Sequence, residues 1–309
     1  MANLDGYDPH PVDPAALRLE DRWILSRMTA CLSDLNDALR RYRFSEAMKV
    51  LYRFMWDEFC SAYIEMTKPR LSGGEDRASA QQLLVFVLDQ LLRMLHPFTP
   101  FVTEAIWEKL NSAVPERGLR EITHAEPALV AAAWPRVDGA LRDERTESDM
   151  AGLQTVIKAV REIRTVVNDY RSRSKQPSMR TLPKAAIRAE AETCRLVEHH
   201  RAFLTALAGC DSLTARQDMP KPQGAMSRVE GHIQVYVPVS DLVDLTAVRK
   251  TEESKLAELR SAKERAERQL GDENFVRRAN PAVVSQTRGR VEALSSQIHT
   301  IEQHLAEME

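Results

Sequence analysis

No two cysteines in this sequence sit close enough to form a CxxC pair. Cys31, Cys60, Cys194 and Cys210 are scattered, which argues against a zinc module and against a disulfide framework. Reduced, mostly buried thiols are the expectation. Long apolar runs are also missing: stretches such as Leu83 to Leu88 fall far short of the roughly 20 residues that cross a bilayer. The first thirty residues hold no signal-peptide core. A soluble, cytoplasmic chain without a membrane partner is expected. Charge of one sign does not dominate either, with Lys+Arg 43 against Asp+Glu 45, so any polyanionic partner must be argued from local imbalance. There is no glycine-rich phosphate loop, no HxxxH or HExxH spacing and no nucleophile elbow. Asp57 and Glu58 are adjacent, so on a helix they point about 100° apart and make no acid–base pair. No metal, cofactor or catalytic residue is assigned to these residues.

Helical periodicity is what the sequence has in quantity. At 309 residues the chain can bury a sizeable core in two or three units. From Glu20, the residues Trp23, Ile24, Met28, Cys31, Leu35, Leu39 and Tyr42 line one helix face. Ala47, Met48, Leu51, Met55, Phe59, Ala62, Tyr63 and Met66 line a second, with Ser45 as its N-cap and Lys68, before Pro69, as its end. A third helix spans Ser79 to Leu95 with Leu83, Val87, Gln90, Leu91 and Met94 inward, and Thr99-Pro100 starts a fourth as N-cap and N1. His96, at a helix end, is expected to cap carbonyls or pack. The pattern predicts an antiparallel bundle in a mainly α chain.

After Asn111, prolines 115, 127 and 135 and an isolated Trp134 predict a strap laid across that bundle, so a first domain is placed at 1–146. A junction helix near Met150 carries Leu153, Val156, Ile157, Val160, Ile163, Val167 and Tyr170 on one side. Short strands at 185–188, 212–214 and 232–237 around a helix from Glu190 to Ala208 predict a small α+β module within 147–240. His199-His200 lies on that helix's polar face. Between Lys158 and Arg188, nine basic residues stand against Glu162 and Asp169. Composition leaves two readings open there: an RNA contact through phosphate neutralisation, or an ordinary solvated face. Arg171 to Lys175 reads as an RNA-facing or disordered turn.

The last segment, 241–309, holds an a/d heptad seam of Val284, Thr287, Val291, Leu294, Ile298, Ile301, Leu305 and Met308. A weaker arm of Leu256, Leu259, Ala266 and Leu270 is interrupted by Glu252 and Lys263. Gly271 as a left-handed stop and Asn280-Pro281 as a restart predict an antiparallel hairpin, each arm on the order of 30 Å long. Basic residues Arg260, Lys263, Arg265, Arg268, Arg277, Arg278, Arg288 and Arg290 lie towards its tip, interleaved with acids.

The stretches LEDRWILSRM (19–28), YRFSEAMKVLYRFMWDEFCSAYIEMTKPRL (42–71) and LLRMLHPFTPFVTEAIWEKL (91–110) resemble the anticodon-binding helical bundle of class I aminoacyl-tRNA synthetases of the valine, isoleucine and leucine group. VEGHIQVYVPVSDLVDL (229–245) and GDENFVRRANPAVV (271–284) resemble the C-terminal arm of the valyl members; the cysteine-paired zinc modules usual in isoleucyl members are absent. The family's HIGH and KMSKS motifs do not occur, and MANLDGYDP (1–9) resembles a segment just inside the helical domain. The resemblance implies a chain that starts past the catalytic half, with ATP and Mg bound in that missing half and no activity expected of this part alone. It implies tRNA(Val) and the catalytic half as partners, and no DNA. The expected role is to hold the anticodon stem-loop with the bundle and the outer corner of the tRNA with the hairpin. A free-standing tRNA-binding module acting in trans, and a coiled-coil scaffold without an RNA role, are the alternatives.

RNA-contact candidates are Arg27, Arg43, Tyr63, Lys68 and Arg70 on the bundle, Arg161 and Arg164 on the junction helix, and Arg277 and Arg278 at the hairpin tip. Tyr63 reads first as a core residue and second as a stacking platform. Reversing the charge at Arg277 and Arg278 is expected to weaken tRNA binding in a filter or anisotropy assay while leaving the circular-dichroism melt unchanged. Unaltered affinity would remove the hairpin from the RNA-binding surface.

Overall fold

Trp23, Ile24, Met28, Cys31 and Leu35 are all buried, and their spacing of three and four makes them the inner side of the first helix, α1 (Leu19–Arg40). The structure, a computed structural model, describes residues 4–13, 16–73, 76–243, 245–271 and 281–307. It divides into two compact units, 1–152 and 153–309. The first unit continues with α2 (Phe44–Arg53), a π-helical segment (Phe54–Tyr63) and α3 (Ile64–Leu71), then α4 (Arg77–Leu95) and α5 (Pro100–Ala113). A minimal hairpin, β1 (Glu116–Arg117) and β2 (Thr123–His124), and two 3-10 turns form the strap. Helix α6 (Glu144–Arg173) begins in the first unit and extends into the second, N-capped by Asp143, whose Oδ1 accepts from the Thr146 N–H at 2.9 Å. The Thr146 hydroxyl and N–H bonds hold the Asp143 carboxyl below its ordinary range.

Several boundaries differ from expectation, each for a physical reason. The second helix starts at Phe44 rather than after a Ser45 cap, because a tight turn precedes it: the Arg43 N–H donates to Ala38 O at 2.8 Å and Tyr42 takes a φ of 56°. That turn also removes Tyr42 from the buried face of α1, leaving it 80% exposed. The π segment explains why Phe54 is buried while Met55 is only half-buried. Phe54 and Phe59 lie five apart, a spacing that shares a face only in a π turn. The helix does not end at Lys68 but runs through Pro69 to Leu71. Proline costs this last turn one N–H bond, and tertiary anchoring at Arg70 and Leu71, both buried, outweighs it. The third helix begins at Arg77, two residues ahead of Ser79.

Two polar clusters organise the bundle. Arg70 donates to Asp21 Oδ1 at 2.8 Å, Glu20 Oε1 at 3.1 Å and Asp76 Oδ2 at 2.7 Å, and the Tyr63 hydroxyl donates to Asp21 Oδ1 at 2.9 Å. These bonds join the start of α1, the end of α3 and the N-cap of α4. Burial opposes the Arg70 charge, but the Asp21 bond and the two carboxylates hold the guanidinium firmly protonated. Burial and then Asp21 push the Tyr63 phenol far up. The second cluster pins the strap: Arg117 donates to Asp89 Oδ1 at 2.7 Å and to the carbonyl of Val114 at 2.8 Å, and lies 4.2 Å over the Trp107 ring. The Trp134 indole donates to Asn36 at 2.9 Å, so the isolated tryptophan ties strap to α1.

In the second unit a four-stranded sheet runs in the order β4 (Leu213–Arg216), β3 (Ala185–Arg188), β6 (Ile233–Pro238), β5 (Ala225–Glu230). Strand β5 had no clear periodic signal in the sequence. β3 and β4 are parallel, and the other pairs antiparallel. The helix expected at 190–208 is two, α7 (Ala191–His199) and α8 (Arg201–Ala208), bent at His200. Arms α9 (Leu245–Gly271) and α10 (Pro281–Glu307) pack through Leu256, Ile298 and Ile301, flanked by Leu259 and Leu305, and Arg260 bridges to Glu302 across them at 2.6 Å. Gly271 is the last residue of α9 instead of a left-handed stop. Of the expected tip, Gly271 to Asn280, all but Gly271 lies outside the described residues, as does Met308. Glu252 breaks the apolar seam because it is buried against Arg173 of α6. No helix among the described residues is long and apolar enough to cross a membrane.

Replacing Arg70 by Met would leave two buried carboxylates uncompensated, an expected loss of about 3–5 kcal/mol. Glu20→Gln is expected to behave differently. Burial, and next the Asp21 charge, raise the Glu20 carboxyl above its ordinary value. The folded chain therefore holds that proton more tightly than the unfolded one, and the stability so contributed is lost as pH rises through the raised value. At about pH 7, Glu20→Gln should match or exceed the wild type; below the ordinary glutamate range the advantage should vanish. Denaturant titrations at both pH values check this, and equal destabilisation by the two variants near neutrality would contradict it.

Candidate nucleic-acid interface

The turn between α1 and α2 and the helix after it carry exposed basic and aromatic side chains together. Arg40, Arg41, Tyr42, Arg43 and Phe44 are consecutive and exposed. Tyr42 and Phe44 meet edge to face with centroids 6.4 Å apart. From there Ser45, Lys49, Tyr52 and Trp56 recur at steps of four, three and four along the outer side of α2 and the π segment, with Arg53 beside them. Tyr52 and Trp56 stack at 6.4 Å with an interplanar angle of 11°. Aromatic planes among guanidinium and ammonium groups are the chemistry that grips unpaired nucleotides: bases stack on the rings and phosphates meet the cations.

The nine residues proposed from sequence are distributed differently. Arg43 is exposed in this face, with a glutamate partner, Glu46, at 3.2 Å. Lys68 is exposed and pairs with Glu65 at 2.5 Å. Arg27 is half-buried, bridging Glu58 at 2.8 Å and Glu147 at 2.9 Å, and these bonds raise its already high pKa. Tyr63 and Arg70 are interior, committed to the Asp21 cluster, so as folded they offer nothing to a ligand at the surface. Arg70 follows a proline in a basic stretch, and the continuation of α3 through Leu71 places it inside; Tyr63 takes the core place that its spacing predicts. Arg161 and Arg164 spend their forks on carbonyls at the end of α8: Leu207 O at 2.6 Å, and Ala208 O at 3.0 Å together with Arg180 O at 2.9 Å. The approach of Arg164 requires Gly209, where a Cβ would fall 1.8 Å from its Nη1 and φ is +68°. Arg277 and Arg278 lie outside the described residues.

Sequence reasoning missed Tyr42, Phe44, Tyr52 and Trp56. Period alone puts Tyr42 on the buried face, and the other three fall off the inward stripe of α2 and the π segment, a signal the sequence carries. The expected turn at 171–175 also folds inward: Arg171 donates to Pro177 O at 2.8 Å and Leu242 O at 2.5 Å, and Arg173 pairs with Asp169 at 2.6 Å and with Glu252. His96 faces Thr103 at 2.9 Å, a helix-end contact.

A cavity of about 350 Å³ in the first unit is lined on one side by Met28, Leu32, Phe86 and Met94 and on the other by Arg120, Glu121, Arg136 and Asp138 of the strap. Among the described residues, no group of histidine, cysteine or carboxylate side chains converges as a metal site. Burial pushes the Cys31 thiol up to about 12, and raises Cys194 and Cys210 as well, so these buried thiols are poor nucleophiles.

Comparison with known proteins bears on this surface directly. The family described as the anticodon-binding domain of tRNA ligases matches residues 21–179, and the valyl tRNA synthetase tRNA binding arm matches residues 244–309. The chain is 34% identical over 311 residues to a valine–tRNA ligase of Rhodopirellula baltica, covering 100% of this chain and 29% of that protein. A valine–tRNA ligase of Geobacter sulfurreducens is 32% identical over 300 residues, 94% of this chain and 31% of its own. One from Thermotoga maritima is 29% identical over 310 residues, 100% of this chain and 32% of its own. The chain thus spans about a third of the length of these relatives.

Tyr42 is the residue at which stability and binding should separate. A left-handed tyrosine costs roughly 1–2 kcal/mol relative to ordinary geometry, and glycine carries no such penalty. Tyr42→Gly is expected to raise the melting temperature by a few degrees while weakening RNA binding. A variant that binds as tightly as wild type would show that the strain serves only the turn.

Proposed function

We propose that this chain, which belongs to the valine–tRNA ligase family, is the RNA-gripping portion of an enzyme that attaches valine to tRNA(Val) with ATP. The observation that carries the reading is the exposed aromatic and basic face of residues 40–56 inside the segment matched by the anticodon-binding family. On this reading the bundle holds the anticodon stem-loop. Unpaired anticodon bases expose their faces and edges, which stacking on Tyr52, Trp56, Tyr42 and Phe44 would use, while the neighbouring arginines meet the phosphates. The hairpin of α9 and α10, matched by the family's tRNA binding arm, takes the outer corner of the tRNA. Its exposed Arg288 and Arg290 supply positive charge on the second arm.

Amino-acid activation, with its ATP and Mg, belongs on this reading to the catalytic half of the enzyme, which carries the HIGH and KMSKS motifs these residues lack. That half is the protein partner, and the site of action is the cytoplasm. A coiled-coil scaffold without an RNA role is not favoured, since both matched families are RNA-binding. A module acting in trans has no observation of its own in support.

Affinity for a valine tRNA transcript, for the same transcript with a scrambled anticodon, and for an unrelated hairpin RNA tests the proposal. The wild-type chain should prefer the first. Trp56→Ala should weaken binding by about 1–3 kcal/mol, the worth of one stacked base, and should narrow the difference between the first two RNAs. Equal affinity for all three transcripts would sink the reading.

A further inference from the structure

The basic run from Lys158 to Arg188 resolves into two sets. Lys158, Arg161, Arg164, Arg171 and Arg173 are bonded within the unit, to Glu162 and Glu230, to carbonyl groups, or to Asp169 and Glu252. Arg188, at the end of β3, belongs to the other set: it is exposed and makes no ion pair among the described residues. Parallel register sets it directly beside Arg216 of β4, which is also exposed and without an ion pair among those residues. Register partners on neighbouring strands lie about 5 Å apart and project from the same face. Like charges so placed repel, an arrangement a sheet tolerates poorly without a reason.

The surroundings point to what would relieve the repulsion. On the other side of β3, Arg188 is level with Gln234 of β6. Arg188, Gln217, His232 and Gln234 line a shallow, open concavity of about 310 Å³, whose wall includes a single carboxylate, Glu190. Guanidinium forks beside side-chain amides present many N–H donors and little negative charge, a match for phosphate oxygens. The opposite face of the sheet is closed by Ile187, Leu213 and Val235, all fully buried, so the basic row stands on a rigid floor.

We propose that this outer face of the sheet, centred on Arg188 and Arg216, is a further RNA contact that holds the sugar–phosphate backbone of the bound tRNA without reading its sequence. It rests on the tRNA-binding reading above but on neither surface that reading uses. The arginine pair adds affinity and salt dependence, and leaves discrimination to the bundle.

Arg188→Gln with Arg216→Gln in the full chain tests this against a valine tRNA transcript over a range of salt. Two lost phosphate contacts should weaken binding about tenfold or more near 0.1 M salt and flatten the plot of log affinity against log salt by about 1.4–1.8. The loss should be the same for the anticodon-scrambled transcript. The melting temperature should stay level or rise, because the repulsion is gone, and Arg188→Lys with Arg216→Lys should keep most of the slope. An unchanged slope, or a loss of binding shared by the lysine pair together with a lower melting temperature, overturns the proposal. If wild type binds the transcript and Trp56→Ala weakens it while the glutamine pair does not, only the sheet contact fails. If wild type does not bind, both readings fall.

Discussion

Arg70 is the point from which the first unit is strung. Its side chain is almost wholly enclosed, yet one guanidinium reaches Glu20 and Asp21 at the head of α1 and Asp76 at the head of α4, from the tail of α3. Three helix ends thereby converge on one charge. All three acidic side chains sit at helix N-termini, where the macrodipole favours negative charge, so cluster and dipoles reinforce each other. The cost is visible in the cluster itself: the Nε of Arg70 is buried without a partner, and the Glu20 carboxyl is pushed towards neutrality. Such an assembly contributes less to net stability than to uniqueness, because a helix shifted by one residue would strand a buried charge. Proline in the last turn of α3 is tolerated because leaving the helix at Lys68 would pull Arg70 out of this cluster.

The aromatic face of residues 40–56 follows from the same constraint. With Tyr63 fixed by its bond to Asp21 and Leu51 buried further up, the intervening helix must rotate its inward stripe from Leu51 through Phe54 to Phe59 and Tyr63. The π turn accommodates that rotation. Tyr52 and Trp56 are left on the outer side, stacked on each other rather than on the core. The left-handed Tyr42 at the preceding turn is a second departure from unstrained geometry on the same surface, and local strain collects where function demands a fixed side-chain direction.

Charge accounting separates this protein's arginines into struts and free cations. Arg161, Arg164 and Arg171 satisfy carbonyls left over at helix ends and loops, a structural task for which the planar fork is suited. Arg41, Arg188 and Arg216 are exposed and make no ion pair among the described residues, while Arg40 is exposed beside Asp37 at 3.7 Å. Near-neutral overall composition conceals this, since exposure and pairing are not properties of composition.

Helices, their order, the proline-punctuated strap and the heptad hairpin could be read from the residues because each rests on local periodicity and local turn chemistry. The ordered motifs also made the family legible. Strand β5, the bend at His200 and the π segment could not be read so, being imposed by what packs against them: AMSRVE has no clean alternation, and five-residue spacing has no meaning until the helix is underwound by its neighbours. The candidate surface was the least legible part. Basicity and aromaticity are properties of a residue, but availability is a property of its surroundings. Residue type alone made Arg70 and Arg188 equivalent; folding surrounded one with carboxylates and set the other beside a second arginine on an open sheet. The sequence by itself determined which segments fold and to which family they belong, whereas only the tertiary structure decided which cations remain for a partner, because long-range packing allocates the acids and carbonyls that neutralise the rest.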